Sequence, residues 1–265
     1  NGYKSIILGK NNKIYYIPYN STNVIEYNVS DIGTEIDTYN VDTDRNNPIK
    51  KKYYISVLYE NSIYCIPYNI PQILKINTDD IKETDFIGDE IDGDEKYQTA
   101  ILSNNNFIYA IPYNADKVMQ INPKNDQVEF IGPKILGVEK YKTCVISNNG
   151  KIYAIPYKAS NILEIDPYMK IVREISITTI PVSTTPSTTP STTPSTTPST
   201  TTSTTPSTTP THDYFSSTIN SNYIYAIGKN NKILEYNINE EKSLFIDTIQ
   251  STSPIWDEEK SSFID

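Results

Sequence analysis

The sequence predicts an all-β protein built from repeats, and three observations predict it. A seven-residue phrase recurs at a near-constant interval. The segments around it are β-branched and aromatic with no helical period, and turn-forming residues interrupt them about every ten positions.

The phrase runs Ile14-Tyr15-Tyr16-Ile17-Pro18-Tyr19-Asn20, then Ile63-Tyr64-Cys65-Ile66-Pro67-Tyr68-Asn69. It returns as Ile108-Tyr109-Ala110-Ile111-Pro112-Tyr113-Asn114 and as Ile152-Tyr153-Ala154-Ile155-Pro156-Tyr157-Lys158. A diverged copy follows at Ile224-Tyr225-Ala226-Ile227-Gly228-Lys229-Asn230. Successive copies begin 49, 45, 44 and 72 residues apart, and residues 182–210 form a low-complexity stretch of 29 residues inside the last interval. Without that stretch the interval is 43, so the period is about 44 throughout, within the range of repeated sheet units.

Each unit resolves into four short strands. In the third copy these are Tyr97 to Leu102, Phe107 to Ile111, Val118 to Ile121 and Val128 to Ile131. The intervening turns are Ser103-Asn104-Asn105-Asn106, Pro112-Tyr113-Asn114 and Asn122-Pro123, all rich in residues that favour tight turns. Four short strands per unit favour a β-propeller over a sandwich. The segments Ile108 to Pro123 and Ile152 to Pro167 resemble the strand–turn–strand unit of YVTN and kelch-like propellers, although the Gly-Gly pair of kelch repeats and the Trp-Asp of WD repeats are absent. The resemblance implies a propeller of four-stranded blades and carries no activity with it, because propellers host unrelated functions. The expected organisation is blades one to four over 1–181, a Ser/Thr/Pro rod or linker over 182–211 and a fifth blade over 212–253. Residues 254–265 are the first strand of a further repeat or a tail, Trp256 to Ile264 matching the start of the third copy.

The interruption is a near-perfect Ser-Thr-Thr-Pro tetrad with no large apolar side chain to bury, so it forms no core and favours polyproline II. Its composition is mucin-like and marks it for O-glycosylation. The acceptors are Ser183, Thr184, Thr185, Ser187, Thr188, Thr189, Ser191, Thr192, Thr193, Ser195, Thr196 and Thr197 in its first half. Ser199, Thr200, Thr201, Thr202, Ser203, Thr204, Thr205, Ser207, Thr208, Thr209 and Thr211 follow in the second. As an unmodified chain the tract would be a flexible linker. As a stiff rod of about 90 Å it would carry the fifth blade away from the first four, and that blade would complete a neighbouring copy's propeller. Together, repeat and tract resemble extracellular propeller glycoproteins of protists, algae or giant viruses.

A net charge of −9 with no basic stripe argues against nucleic acid as a partner. No apolar run approaches the about 18 residues of a membrane-spanning helix. The two cysteines, Cys65 and Cys144, fall in non-adjacent repeats and read as two small buried thiols. With one histidine, His212, at the edge of the tract, a His-based triad and a multi-histidine zinc site are both excluded, so neither catalytic residue nor metal nor cofactor is expected. The acidic runs Asp42 to Asn46 and Asp89 to Glu95 lack the glycine and distal glutamate of an EF-hand and read as solvated loops.

Two readings are open for the Pro-Tyr-Asn turns. Tyr19, Tyr68, Asn69, Tyr113, Asn114 and Tyr157 would ring one face of the propeller, offering flat rings and amides to a sugar or peptide. Alternatively each Tyr packs on the next blade and each Asn takes a left-handed turn position. Asn20 and Asn28 open the sequons Asn20-Ser21-Thr22 and Asn28-Val29-Ser30 and are candidate N-glycosylation acceptors. The expected function is an extracellular or surface-exposed structural glycoprotein that self-associates into a filament or coat. The alternative is a lectin-like or adhesive module on a mucin-like stalk.

Overall fold

A computed structural model describes residues 2–29, 37–41, 49–177, 213–229 and 232–247. Twenty strands form five separate four-stranded antiparallel sheets, each with its strands in chain order. The first holds β1 Tyr3–Leu8, β2 Lys13–Pro18, β3 Asn23–Asn28 and β4 Asp37–Asn40. The second holds β5 Tyr53–Tyr59, β6 Ser62–Pro67, β7 Ile73–Asn77 and β8 Asp85–Ile87. The third has β9 Tyr97–Leu102, β10 Ile108–Pro112, β11 Val118–Asn122 and β12 Gln127–Ile131. The fourth has β13 Tyr141–Ile146, β14 Ile152–Pro156, β15 Asn161–Asp166 and β16 Ile171–Ser176. The fifth has β17 Tyr214–Asn220, β18 Tyr223–Gly228, β19 Lys232–Asn237 and β20 Lys242–Asp247.

First strands pack on one another in succession, β1 on β5, β5 on β9, β9 on β13 and β13 on β17. They therefore surround the axis while the fourth strands lie outermost, as in a propeller. Among the described residues β17 has no comparable packing on β1, so the five blades form an open arc.

The core is divided into slabs between blades, because period-two alternation gives every sheet two apolar faces. The forward face of blade one presents Tyr15, Ile17 and Val24 to Tyr53, Ile63, Cys65 and Leu74 of blade two. The same positions meet again as Tyr64, Ile66 and Ile73 against Tyr97, Ile108, Ala110 and Met119. Blades three and four repeat the arrangement, and so do blades four and five. A large tyrosine on each forward face thus meets Cys65, Ala110, Ala154 or Ala226 behind it, which keeps the slab filled. The phenols are satisfied across the same seams. Tyr15 and Tyr64 donate to Thr78 O and Pro123 O at 3.1 Å, and Tyr109 to Pro167 O at 3.4 Å. Much of the tyrosine content is therefore inter-blade packing.

One expectation is corrected here. The fifth blade is not carried away by the tract. Val145, Tyr153, Ile155 and Ile162 of blade four pack on Tyr214, Ile224, Leu234 and Tyr236 of blade five, and Thr143 Oγ1 bonds Ser217 Oγ at 2.7 Å. An apolar interface of the same construction as the other three holds the blade beside its own neighbour. Exchange of that blade between subunits, which its separation motivated, loses its premise. The O-glycosylation acceptors, His212, residues 42–46 and residues 254–265 lie outside the described residues. No helix among the described residues is long and apolar enough to cross a membrane.

Candidate functional site: the tyrosine and lysine mouth

The Pro-Tyr-Asn turns and the starts of the first strands lie at one end of the axis. Backbone hydrogen bonds run there from blade to blade. Lys52 N donates to Tyr19 O and Tyr68 N to Lys52 O, both at 2.8 Å. Lys96 N then donates to Tyr68 O at 2.9 Å and Tyr113 N to Lys96 O at 2.8 Å. Lys140 N donates to Tyr113 O at 2.9 Å, and Tyr157 N to Lys140 O at 2.7 Å. Each of these three connections is therefore stitched to the turn before it and the turn after it.

Lys52, Lys96 and Lys140 are fully buried, which an ammonium tolerates only when its protons are matched. Lys96 Nζ donates to Gly93 O at 2.7 Å and Asn69 O at 3.3 Å, and Lys140 Nζ to Gly137 O and Ala115 O at 2.8 Å. Lys52 Nζ donates to Ile49 O and Ser21 O. Burial pushes the ammonium groups of Lys96 and Lys140 down to about 8, against the pull of nearby aspartates.

The turn asparagines do not take the left-handed position. That conformation falls on Lys51, Glu95 and Glu139, with φ of 56°, 52° and 53°. The asparagines hold those residues instead: Asn20, Asn69 and Asn114 Oδ1 accept from the amides of Lys51, Glu95 and Glu139 at 3.0, 2.9 and 2.7 Å. Asn20 is exposed and Asn28, at the end of β3, is half-buried.

The structure does bring the turn tyrosines together. Tyr68, Tyr113 and Tyr157 are 4–6% exposed and cluster with the more open Tyr19 and Tyr54. Ring centroids lie 6.0 Å apart for Tyr19–Tyr54, 5.4 Å for Tyr54–Tyr68 and 6.2 Å for Tyr68–Tyr113, in tilted or edge-on geometry. Three of the four turn rings are thus spent on one another rather than presented flat. Burial raises the pKa of Tyr68 and Tyr113, whereas Lys229 and Lys142 lower that of Tyr157.

A second ring of side chains escapes the motif. Each first strand carries a β-bulge one residue after its leading tyrosine, and the bulged residues are Lys4, Tyr54, Gln98, Lys142 and Phe215. A bulge re-aims its side chain. Lys4 Nζ lies 5.5 Å from the ring centroids of both Tyr19 and Tyr54, and Lys142 Nζ lies 3.3 Å over Tyr157 and 5.7 Å from Tyr113. In blade five Lys229 replaces the turn tyrosine, and its Nζ reaches Tyr157 Oη at 3.0 Å. Sequence supplied a signal for this ring. It is the residue after Tyr3, Tyr53, Tyr97, Tyr141 and Tyr214, which takes four identities in five copies while the tyrosine before it never changes.

Acid reaches into the same mouth: Glu139 accepts from the Tyr113 phenol and acts on both Lys142 and Lys229, and Asp213 acts on Lys229. Glu95 pairs with Lys51 at 2.6 Å and Glu139 with Lys158. The arrangement offers ammonium groups, aromatic edges and the Gln98 amide, whose Oε1 has no partner among the described residues. Among those residues no group of three or more His, Cys, Asp or Glu side chains could hold a metal, and both cysteines are free thiols.

No protein-family model matches the chain, and no curated protein does. Solved structures do. Virginiamycin B lyase from Staphylococcus aureus aligns at 11% identity and TM-score 0.62, over 92% of this chain and 69% of its own. The extracellular domain of a putative one-component system from B. thetaiotaomicron aligns at 12% identity and TM-score 0.56, over 91% of this chain and 29% of its own. A chain of a nidogen/laminin complex aligns at 11% identity and TM-score 0.53, over 91% and 79%. The chain is a β-propeller. At such identities the likeness shows the fold alone, and the activity named for the lyase stays with the lyase.

Proposed function

We propose that this chain is an extracellular structural glycoprotein whose propeller self-associates head to tail and whose Ser/Thr/Pro tract carries O-glycans. The observation that supports it is the pair of sheet faces at the ends of the arc that no other described blade covers. Ile17 is fully buried on the forward face of blade one, but its counterpart in blade five, Ile227, is 41% exposed. It shares a shallow groove with Tyr225 and Ile233. At the other end, Ile6 and Leu8 on β1 are 62% and 57% exposed. Every covered seam joins one such forward face to one such rear face, so a second copy offers the matching surface. A heterologous contact of this kind either closes a ring or builds a filament. Tyr16 stands on the open rear face where covered ones have Cys65, Ala110, Ala154 and Ala226, which makes the contact between copies looser than a seam. Ile227→Lys and Leu8→Lys test the reading by sedimentation velocity and negative-stain microscopy. Wild-type oligomers that fall to monomer in either variant support it, and a wild-type chain that stays monomeric at every concentration ends it.

A second reading, a lectin-like or adhesive module, is favoured by the convergence of Tyr19, Tyr54, Phe215 and three lysines at the mouth. The two readings use different surfaces of the molecule.

A further inference from the structure

The mouth is not evenly built, and its cations gather towards blades four and five. Lys142 Nζ sits 3.3 Å over the face of Tyr157, and Lys229 Nζ lies 5.4 Å from the same ring centroid and bonds its hydroxyl. Two ammonium groups thus share one phenol. Among the described residues neither makes a direct ion pair with a carboxylate, although Glu139 acts on both and Asp213 on Lys229, whereas Lys158 and Lys51 each pair directly. Like charges held this close repel, and an aromatic face offsets only part of that cost. The net charge of −9 makes the placement local rather than a general feature of the surface.

We propose that Lys142, Lys229 and the Tyr157 hydroxyl form a binding site for the carboxylate of an acidic saccharide. This deepens the lectin-like reading and is independent of the filament. A carboxylate accepts from both ammonium groups and from the phenol, converting the repulsion into charge-assisted hydrogen bonds. A sugar ring extending from that carboxylate meets Phe215, which holds the adjacent bulge position in blade five and is 50% exposed. An apolar ring edge beside a few convergent polar groups is what orients a small polar ligand. Lys229 is exposed and Lys142 half-buried, so the ammonium groups are reachable from solvent. The lowered pKa of Tyr157 reports the same positive field.

Isothermal titration calorimetry on the whole chain tests this with glucuronate and glucose, which differ only in the carboxylate, and with sodium sulfate. The expected result is binding of glucuronate with glucose at least about tenfold weaker. Lys142→Gln and Lys229→Gln each lower glucuronate affinity by about tenfold. Ultraviolet titration of tyrosine checks the geometry without any ligand, since Lys229→Gln removes the lowest-pH phenolate transition. Equal affinity for glucose and glucuronate leaves a sugar-binding mouth but overturns the anion site. Equal binding by wild type and both variants overturns the placement. Sulfate binding as tightly as glucuronate overturns the saccharide. No binding of any probe ends the inference and the lectin-like reading together.

Discussion

Replacing Lys140 by methionine separates the two roles of the buried lysines, because charge and hydrogen bonding respond differently to pH. In the folded chain the Lys96 and Lys140 ammonium groups are pushed down to about 8, while an unfolded lysine titrates near 10.4. Between those values the unfolded state holds more protons than the folded one, so stability rises with pH. For each lysine the gain from pH 8 to pH 10 is about 2–3 kcal/mol. Above about pH 9 the direction reverses. Tyr214 and Tyr236 are raised by burial to about 12, so their phenols lose stability once the unfolded tyrosines ionise. Nine buried tyrosines are raised in this way and outweigh two lysines well before pH 10, so the wild type is most stable at about pH 9. Methionine keeps the unbranched stem but leaves Ala115 O and Gly137 O without their donor, at about 1–3 kcal/mol each. At pH 7 that loss is offset by relief of the buried charge, so Lys140→Met is close to neutral. At pH 10 the wild-type amine is uncharged and still donates, and the variant falls behind by about 2–3 kcal/mol. Urea unfolding followed by circular dichroism reads this as midpoints that diverge by about 1 M between pH 8 and pH 10. The tyrosines act equally on both proteins, so only the difference between them is diagnostic, and parallel midpoint curves would refute the reasoning.

Two further substitutions probe the joints of the repeat. Asn114→Ala removes the 2.7 Å bond that holds the left-handed Glu139, and a loss of about 1–2 kcal/mol is expected in thermal unfolding. The exposed Asn20→Ala should cost less. Gly132 has φ of +75°, and an added Cβ would lie 2.5 Å from Val172 Cβ on blade four, so Gly132→Ala should destabilise by about 2–4 kcal/mol. At Gly93, with φ of +91° and open space around it, the same change should cost about 1 kcal/mol. Equal losses at the two glycines would show that the seam tolerates the added atom.

The fold was legible because one interface is used four times. The spacing of Tyr15, Tyr64, Tyr109 and Tyr153 encodes both the period and the seam, and strand bounds read from the third copy agree with the observed ones to within a residue. The handedness of the turns was not legible. Asparagine commonly adopts positive φ, yet here Lys51, Glu95 and Glu139 do so, because the asparagine oxygen is needed to hold their amides. Nothing in a Lys or Glu codon position signals that role. The mouth was half legible. The turn tyrosines stand out as a motif, whereas the bulged residues Lys4, Tyr54, Gln98, Lys142 and Phe215 share only a position. Recognising them requires the register slip that makes them point inward. The position of the fifth blade stayed open in the sequence, because the stiffness of the tract does not decide it and the burial of Tyr214, Leu234 and Tyr236 against blade four does.

Blade five shows where architecture releases its hold on the sequence. In blades two to four a buried lysine closes the connection to the preceding turn, and a tyrosine fills the next turn. In blade five Asp213 stands at the lysine position, Gly228 at the proline and Lys229 at the tyrosine. The backbone bond between turn and connection persists, Lys229 N donating to Asp213 O at 3.2 Å. The geometry is therefore kept while the side chains change, which decay of the repeat would not produce. The connection that ends at Asp213 is also the one that carries the Ser/Thr/Pro tract, between Ile177 and Asp213. It leaves from the outer strand of blade four and returns at the mouth, as the shorter connections do elsewhere. Asp213, the described residue that follows the tract, thus lies beside the turn that carries Lys229. The lysine and tyrosine of the repeat are released at this corner, and under the proposed lectin-like reading this corner, rather than the repeated tyrosines, is where a ligand is contacted.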